Sequence, residues 1–531
     1  MAASGAPLQS TIASPVAGID DSPPSISLLR YAPAALLVII LVADSNRHTD
    51  PDLWGHLRFG QTFIATRHLL DRDTYSYSAA HAQWRDHEWL AEVAMASIYN
   101  AGGVIGLKLW KFSCSALIVF FLADAEASTG APATIQLCVL VAAALGLILQ
   151  SQFRPQMFTF VLMSALMALL ARDTYRHRAP LWLAVPFAAL WANLHGGFFI
   201  GIAILALYGA TAAIGDVVAG AGWRRGTRFV LLTLAAAAAT LLNPYGIGMW
   251  QTVAHALANP YTRIAIRDWQ PLAWAVAGQW RSAPAGVILY AAVLATVLAL
   301  AASFTAAPSR EDLPLVAVVA AMAVATLLSA RNLALVAIAA CAPLARHWAA
   351  FVRRSPAEPA TPAATRWRLS ATLAALALAV AMALGGGLLS SRLAPDRAYP
   401  AGALAFMRQH ELRGHVLADF GWGEYLIWHA APDDKVFIDG RYDTVYSLSV
   451  IRDYLDFHFD RPRAGIVLDS WPHDFVLIAA HSPARALMDR RRDWKLIYRD
   501  ADALLYSRAN APAARLHGLP VGGVARTTGF P

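Results

Sequence analysis

Apolar residues in this chain run together over long stretches and do not alternate with polar ones, as they would on a half-exposed helix or strand. Runs rich in Ala, Leu and Val cover Ile26–Ala43, Val104–Ala123, Ala131–Leu149, Met157–Ala171, Leu181–Leu194 and Phe198–Val218. They continue over Phe229–Leu242, Ala285–Ala306, Leu313–Ala330, Leu333–Ala345 and Leu369–Leu389. Backbone amides in hydrocarbon find partners only within their own helix, so these runs predict membrane-spanning helices. We expect about eleven, several of them shorter than the ~20 residues that cross a bilayer upright. Ile26–Ala43 has almost no basic residue before it and no clear cleavage site after Asp44, so it reads as an uncleaved first span.

Past Leu389 the pattern changes. Val416–Phe420, Val436–Asp439, Phe475–Ala480, Trp494–Tyr498 and Ala503–Tyr506 read as strands. Gly423–His429, Ser449–Phe459 and Pro483–Arg491, between them, read as helices. That alternation predicts a small α/β domain over residues 391–510, following an all-α membrane domain over 26–390. The polar ends, 1–25 and 511–531, are expected to be disordered.

Composition sharpens this picture. Of 531 residues, 57% are hydrophobic and only 15% charged, which excludes an ordinary soluble domain. A net charge of +8 suits the anionic cytoplasmic leaflet of a bacterial inner membrane and not nucleic acid. With the N-terminus placed in the cytoplasm, inside loops hold Arg172, Arg176, Arg178, Arg224, Arg225, Arg228, Arg310, Arg346, Arg353, Arg354, Arg366 and Arg368. That basic bias sets the orientation, and an odd number of spans puts the C-terminal domain on the periplasmic side. Cys114, Cys138 and Cys341 lie inside apolar runs as small packing residues. No phosphate-cradling loop, dinucleotide fingerprint, nucleophile elbow or Cys/His cluster occurs.

Candidate chemistry falls in the outside loops. The first, 44–103, carries Asp50-Pro51-Asp52-Leu53-Trp54-Gly55-His56 and Trp84-Arg85-Asp86-His87-Glu88. A carboxylate at the membrane rim is costly to desolvate and needs a cation or donor beside it. Asp50 or Asp52 would take a proton from an acceptor hydroxyl or hold a divalent ion, with Glu88 and His56 as further metal ligands. Asp52 and His56 capping a loop helix is the structural alternative. Arg154 and Arg331 stand at outside helix ends, suited to a phosphate or to snorkelling. Asn193 and His195 precede Gly196-Gly197, where a ligand or a tight hairpin fits. Asn243-Pro244-Tyr245-Gly246 reads as a turn, and Asp268 in the next loop adds a carboxylate. In the C-terminal domain, Asp439, Arg441 and Asp443 follow a strand and would read a sugar, contact the first loop or form an internal ion pair.

Together these segments resemble bacterial members of the glycosyltransferase C (GT-C) superfamily, multi-span enzymes that use polyprenyl-phosphate-linked sugars. Asp50-Pro51-Asp52-Leu53-Trp54, Asn193-Leu194-His195-Gly196-Gly197, Asn243-Pro244-Tyr245-Gly246 and Ile438-Asp439-Gly440-Arg441 look like a poorly characterised branch of that class. The resemblance implies an inverting sugar transfer with the catalytic carboxylate at Asp50 or Asp52. It implies a divalent metal, Mg or Mn, in some members. The expected partners are the bilayer and a polyprenyl-phosphate sugar donor. Arg154, His195, Arg331, Asp268 and Asn193 are the expected substrate-binding residues. The soluble domain departs from those of well-studied members. A non-catalytic membrane subunit that binds or moves a glycan or lipid is the alternative. A secondary transporter fits less well, because the charged residues sit at the outside membrane face and not at mid-span.

Overall fold

The computed structural model describes residues 50–148, 150–279, 311–352 and 399–517, with Leu393 and scattered positions between 291 and 304. The expected spans Ile26–Ala43 and Leu369–Leu389, and most of Ala285–Ala306, lie outside the described residues, as do 1–25 and 518–531 of the two segments expected to be disordered; within the second, Pro512–Leu516 forms a short 3-10 helix with Ala513 buried. Four helices in the described part are long and apolar enough to cross a membrane: Trp89–Ser128, Gln156–Arg176, Phe198–Val218 and Ala330–Val352. Ala133–Ala144, Leu181–Leu194 and Leu313–Leu328 are shorter apolar helices.

We number the helices used below in chain order. The first loop forms α1 (Leu53–Thr66) and, after a short irregular stretch, leads into α2 (Trp89–Ser128). Gly103 interrupts α2 with φ +56° and ψ −145°, a left-handed backbone that glycine adopts at little cost. The first half of α2 therefore turns along α1, while the second half continues into the bundle. The bundle proper contains α3 (Ala133–Ile148), α4 (Gln156–Arg176), α5 (Ala184–Leu194), α6 (Phe198–Val218) and α7 (Arg224–Ala239). It is completed by α8 (Gly248–Ala258), α9 (Leu272–Gln279), α10 (Leu313–Leu328) and α11 (Leu333–Val352). α2 packs along α4, α6 along α7, and α11 against α3 and α10. Leucine and valine side chains at Leu231, Leu234, Leu242, Val324, Leu327 and Leu328 face outward, as expected of helices solvated by lipid. α4 runs from Gln156 at one end to Arg176 at the other, where Arg172 pairs with Asp124 and Arg225 with Asp173.

The C-terminal domain begins with α12 (Ala401–Gln409) and carries a five-stranded mixed sheet. Its strands are β1 (His415–Ala418), β2 (Lys435–Val436), β3 (Phe475–Ala479), β4 (Trp494–Arg499) and β5 (Ala503–Arg508), in the order β2-β1-β3-β5-β4. β1 pairs parallel with β2 and β3, and β5 pairs antiparallel with β3 and β4. Helices α13 (Gly423–Ala430), α14 (Leu448–His458), α15 (Gly465–Ser470) and α16 (Arg485–Arg490) complete it. All five strands sit where alternation placed them, within a few residues at each end.

The domain is not tethered by its linker alone. The first loop reaches it and extends the sheet edge: Tyr77 N–H donates to the Val436 carbonyl at 3.1 Å, and Val436 N–H to that of Tyr75 at 3.2 Å. Trp54 on α1 inserts among Tyr399, Tyr425, Trp428 and His429, with centroids 5.0–6.0 Å away. At the centre of the seam, Arg441 donates through Nε and Nη2 to the two Asp439 oxygens (2.9 and 2.7 Å) and through Nη1 to Asp73 at 2.6 Å. Phe59, Tyr75 and Trp84 from the first loop surround its guanidinium, centroids 4.8–5.3 Å away. Asp73 and Asp439 are fully buried.

Candidate functional site

Asp50 and Asp52 stand at the start of α1, where a helix N-terminus offers free N–H groups. Asp52 occupies the N-cap position, but its side chain does not cap the helix. Asp50 Oδ1 accepts the Asp52 N–H at 2.9 Å instead, and both carboxylates turn to Arg154. Arg154 Nε lies 2.6 Å from Asp50 Oδ2, and Nη2 donates to Asp52 Oδ2 at 2.7 Å. The capping role that the spacing also allowed for Asp52 is thus replaced by a fork on one guanidinium. The two aspartates differ in access: the Asp50 side chain is 2% exposed and that of Asp52 27%. Burial pushes the Asp50 carboxyl up to about 6, against the opposing pull of Arg154.

Arg154 is itself held in place. Its segment follows α3, and the buried Lys111 of α2 donates to the Ser151 carbonyl at 2.5 Å and lies 4.6 Å from the Phe153 ring centroid. A lysine inside a membrane bundle needs such partners, and here it fixes the turn that presents Arg154.

Beside this fork lies a histidine–carboxylate group. His56, one helical turn after Asp52, places Nδ1 2.9 Å from Glu92 Oε1 and 3.8 Å from Glu88 Oε2. Glu88 and Glu92 are four apart at the start of α2, so they share a helix face. The His56, Glu88 and Glu92 ligand atoms all lie within 4.8 Å of one another. Glu92 Oε2 is buried with no hydrogen-bond partner. His195 approaches Glu88 from the α5–α6 corner, Nε2 to Oε1 at 3.4 Å. Its Nδ1 accepts the Gly197 N–H at 2.9 Å, which leaves the ring proton on Nε2, aimed at Glu88. Burial drives His56 down from its ordinary value and His195 down to about 3, so both rings are neutral at pH 7.

Arg331 follows α10 and stacks on Trp269 at 4.3 Å. The charges acting on it are Arg154, Asp268, Glu88 and Asp443, which ties it to the same cluster. Among the described residues it has no carboxylate within ion-pair distance. Asp443 Oδ2 is buried and likewise unpartnered. Asn193 plays a structural part: its amide receives Trp89 Nε1–H at 3.2 Å and donates to the Ala189 and Leu242 carbonyls, both at 2.8 Å. The Asn243–Gly246 segment is an Asx turn, Asn243 Oδ1 accepting the Tyr245 N–H at 2.7 Å.

Side chains spread over the chain thus meet at one end of the bundle, beneath the C-terminal domain. The overall fold is similar to known structures. The archaeal oligosaccharyltransferase AglB from Archaeoglobus fulgidus, in complex with an inhibitory peptide and a dolichol-phosphate, superposes with a TM-score of 0.52 at 12% identity. The match covers 85% of this chain and 70% of that one. The same enzyme in complex with Zn and sulfate gives 0.53 at 14% identity, over 85% and 68%. Arabinofuranosyltransferase AftD from Mycobacteria gives 0.50 at 16% identity, over 92% of this chain and 40% of that one. The chain has a GT-C-like fold. No protein-family model and no curated protein matches the sequence. The first loop, α1 and the start of α2 bring Asp50, Asp52, Glu88 and Glu92 together at this end of the bundle.

Sequence reasoning missed Glu92 and Glu424. The Glu88/Glu92 spacing was a readable signal, since four residues apart on a helix means one face. Glu424 reaches the Gly55 N–H across 369 residues of chain, a contact that spacing does not reveal.

Proposed function

We propose that this protein transfers a sugar from a polyprenyl-phosphate-linked donor to an envelope glycan, lipid or protein acceptor at the periplasmic face of a bacterial inner membrane. One observation carries the reading: a rigid Asp50–Arg154–Asp52 fork shares a charge cluster with Arg331, a guanidinium without a carboxylate partner among the described residues.

Asp52 is the more exposed of the pair, so it meets the acceptor, and Asp50 anchors Arg154. The acceptor oxygen attacks the anomeric carbon and its proton passes to Asp52. The bond from that carbon to the phosphate oxygen breaks, and the lipid phosphate leaves with the electron pair. A guanidinium matches phosphate geometry, and a charge fixed in advance stabilises the leaving group without reorganisation. Arg331 supplies that charge, with Asp268 and Asp443 beside it. His195 orients Glu88. The donor set of one imidazole and two carboxylates fits a divalent ion, and the orphaned Glu92 oxygen fits the same role. His56, Glu88 and Glu92 would hold Mn or Mg, which when bound neutralises phosphate charge.

The test is transfer from polyprenyl-phosphate sugars to envelope acceptors by the purified protein in liposomes. Asp52→Asn is expected to lower the rate by about 10²- to 10⁴-fold, the range for a positioned proton acceptor, with the melting temperature kept. Full transfer by a folded Asp52→Asn protein contradicts it. Arg154 pairs with both aspartates and so occupies an oxygen of each, which favours a second reading as a non-catalytic lipid- or glycan-binding subunit. Lipid-sugar binding without transfer by the wild type would select that reading.

A further inference from the structure

A cleft of about 270 Å³, its mouth included, opens between α1 and the start of α2. Four aromatic residues wall it: Phe59 and Phe63 from α1, Trp84 from the first loop and Trp89 at the head of α2. Phe59 and Trp84 meet edge to face with centroids 5.0 Å apart, and Phe63 and Trp89 meet at 53° with centroids 5.8 Å apart. Asp86 and Glu92 line the same cleft, and their carboxyls adjoin. Glu92 is 3% exposed, and its Oε2 has no hydrogen-bond partner.

The other polar side chains of the cleft are engaged or peripheral: Thr62 Oγ1 donates to the Arg58 carbonyl at 2.9 Å, and His68 is exposed at the mouth. Among the described residues no lysine or arginine lies within ion-pair distance of Asp86 or Glu92. Two neighbouring buried carboxyls without a cation of the chain favour one from outside, and they disfavour an anion or a neutral sugar. A divalent metal in this space would lack oxygen ligands, because the aromatic walls supply none. An ammonium group has what the cleft offers: ring faces attract its charge, and carboxylate oxygens accept its N–H bonds. The same rings already take one cation, since the Arg441 guanidinium carbon lies 5.3 Å from the Phe59 centroid and 4.8 Å from that of Trp84. A divalent ion at His56, Glu88 and Glu92 needs one oxygen of each carboxylate, so Glu92 can serve both groups.

We propose that this cleft binds a primary ammonium group: Asp86 and Glu92 Oε2 accept its N–H bonds, and Phe59, Phe63, Trp84 and Trp89 surround it. An aminosugar and a phosphatidylethanolamine headgroup both carry such a group. Either would place an amine-bearing molecule against the first loop, next to the histidine–carboxylate group. The inference stands on the cleft and not on sugar transfer, so the two can fail separately.

Saturation-transfer NMR and calorimetry on the full chain in detergent at pH 7 test it. The probes are ethanolamine and glucosamine, with ethylene glycol and N-acetylglucosamine as their neutral counterparts. Both amines are expected to bind with a Kd of about 1 mM, the scale of a few cation–π contacts and one charge-assisted hydrogen bond, and the neutral probes are expected not to saturate. Asp86 Oδ1 accepts the Glu88 N–H at 3.0 Å, and Asp86→Asn keeps that oxygen. This variant is expected to hold its melting temperature and to weaken amine binding about tenfold. Phe63→Leu, which removes a ring and no charge, is expected to weaken it several-fold. Absence of amine binding overturns the proposal, as does equal binding of the neutral probes or wild-type affinity in both variants. Nanodiscs separate the sources: weaker ethanolamine binding in phosphatidylethanolamine than in phosphatidylglycerol discs assigns the site to the lipid headgroup, and equal binding assigns it to the aminosugar. Amine binding by a protein that transfers no sugar keeps this inference and fails the proposed function, and transfer without amine binding does the reverse.

Discussion

Replacing Arg441 with alanine is expected to release the C-terminal domain from the first loop. The guanidinium is 4% exposed and makes three short contacts to two fully buried carboxylates, at 2.6, 2.7 and 2.9 Å. Removing it leaves Asp73 and Asp439 facing each other without a cation. Breaking a buried pair from one side costs about 3–5 kcal/mol, because the remaining charge keeps its desolvation penalty. Loss of the stack on Phe59, Tyr75 and Trp84 adds about 0.5–2 kcal/mol. Asp73 retains its Tyr75 and Ser76 N–H donors, so the lower half of the combined range is the better expectation. The assay is thermal unfolding in detergent together with limited proteolysis between the membrane and C-terminal parts. Arg441→Ala is expected to melt several degrees lower and to be cleaved in the 399–415 region much faster than wild type. Asp73→Asn in the same background is expected to recover part of the loss, since it removes one stranded charge. A melting temperature within about a degree of wild type, or unchanged cleavage, would refute the argument that this ion pair locks the seam.

Two further outcomes follow from the site. Asp50 is pushed up to about 6, so its carboxylate is lost as pH falls through that value and Arg154 loses one of its two anchors. Transfer is therefore expected to decline below about pH 6 and to be level above it, and Asp50→Asn is expected to remove this acid limb from the rate profile. Glu92→Gln is expected to weaken Mn binding by at least tenfold in calorimetry, while chelation should lower wild-type transfer and leave the variant little affected.

The distribution of apolar runs placed the second half of α2, α3 to α7, α10 and α11, because in a membrane the backbone has no alternative to helix, but it did not place α1, α8 or α9. The run Phe198–Val218 matches α6 residue for residue. The strands of the tail were readable for a different reason: β3 is apolar throughout and β5 is apolar over Ala503–Tyr506, and both are buried over most of their length. The kink at Gly103 could not be read, since a glycine inside an apolar run marks a break only when neighbouring elements demand one. The Asp50 and Asp52 positions were legible from charge at a membrane rim, yet their shared partner Arg154 was expected to face a phosphate and not two aspartates. Sequence offers no measure of which anion reaches a guanidinium first. Asp439 and Arg441 showed the same ambiguity between sugar recognition and an ion pair, and burial between two domains selects the ion pair. Glu424 lay beyond reach because its position depends on docking of a whole domain against α1.

Placement of a polyprenyl phosphate against the bundle tests the central claim most directly. A cryo-electron microscopy structure of the full chain in nanodiscs loaded with undecaprenyl phosphate is expected to show the phosphate against Arg331, on the side of the cluster that holds Asp52 and Glu88. Arg331→Ala is expected to weaken that lipid's binding by tenfold or more, the worth of a charge-assisted contact. A phosphate bound at the opposite end of the bundle, near Arg172 and Arg225, would contradict the account.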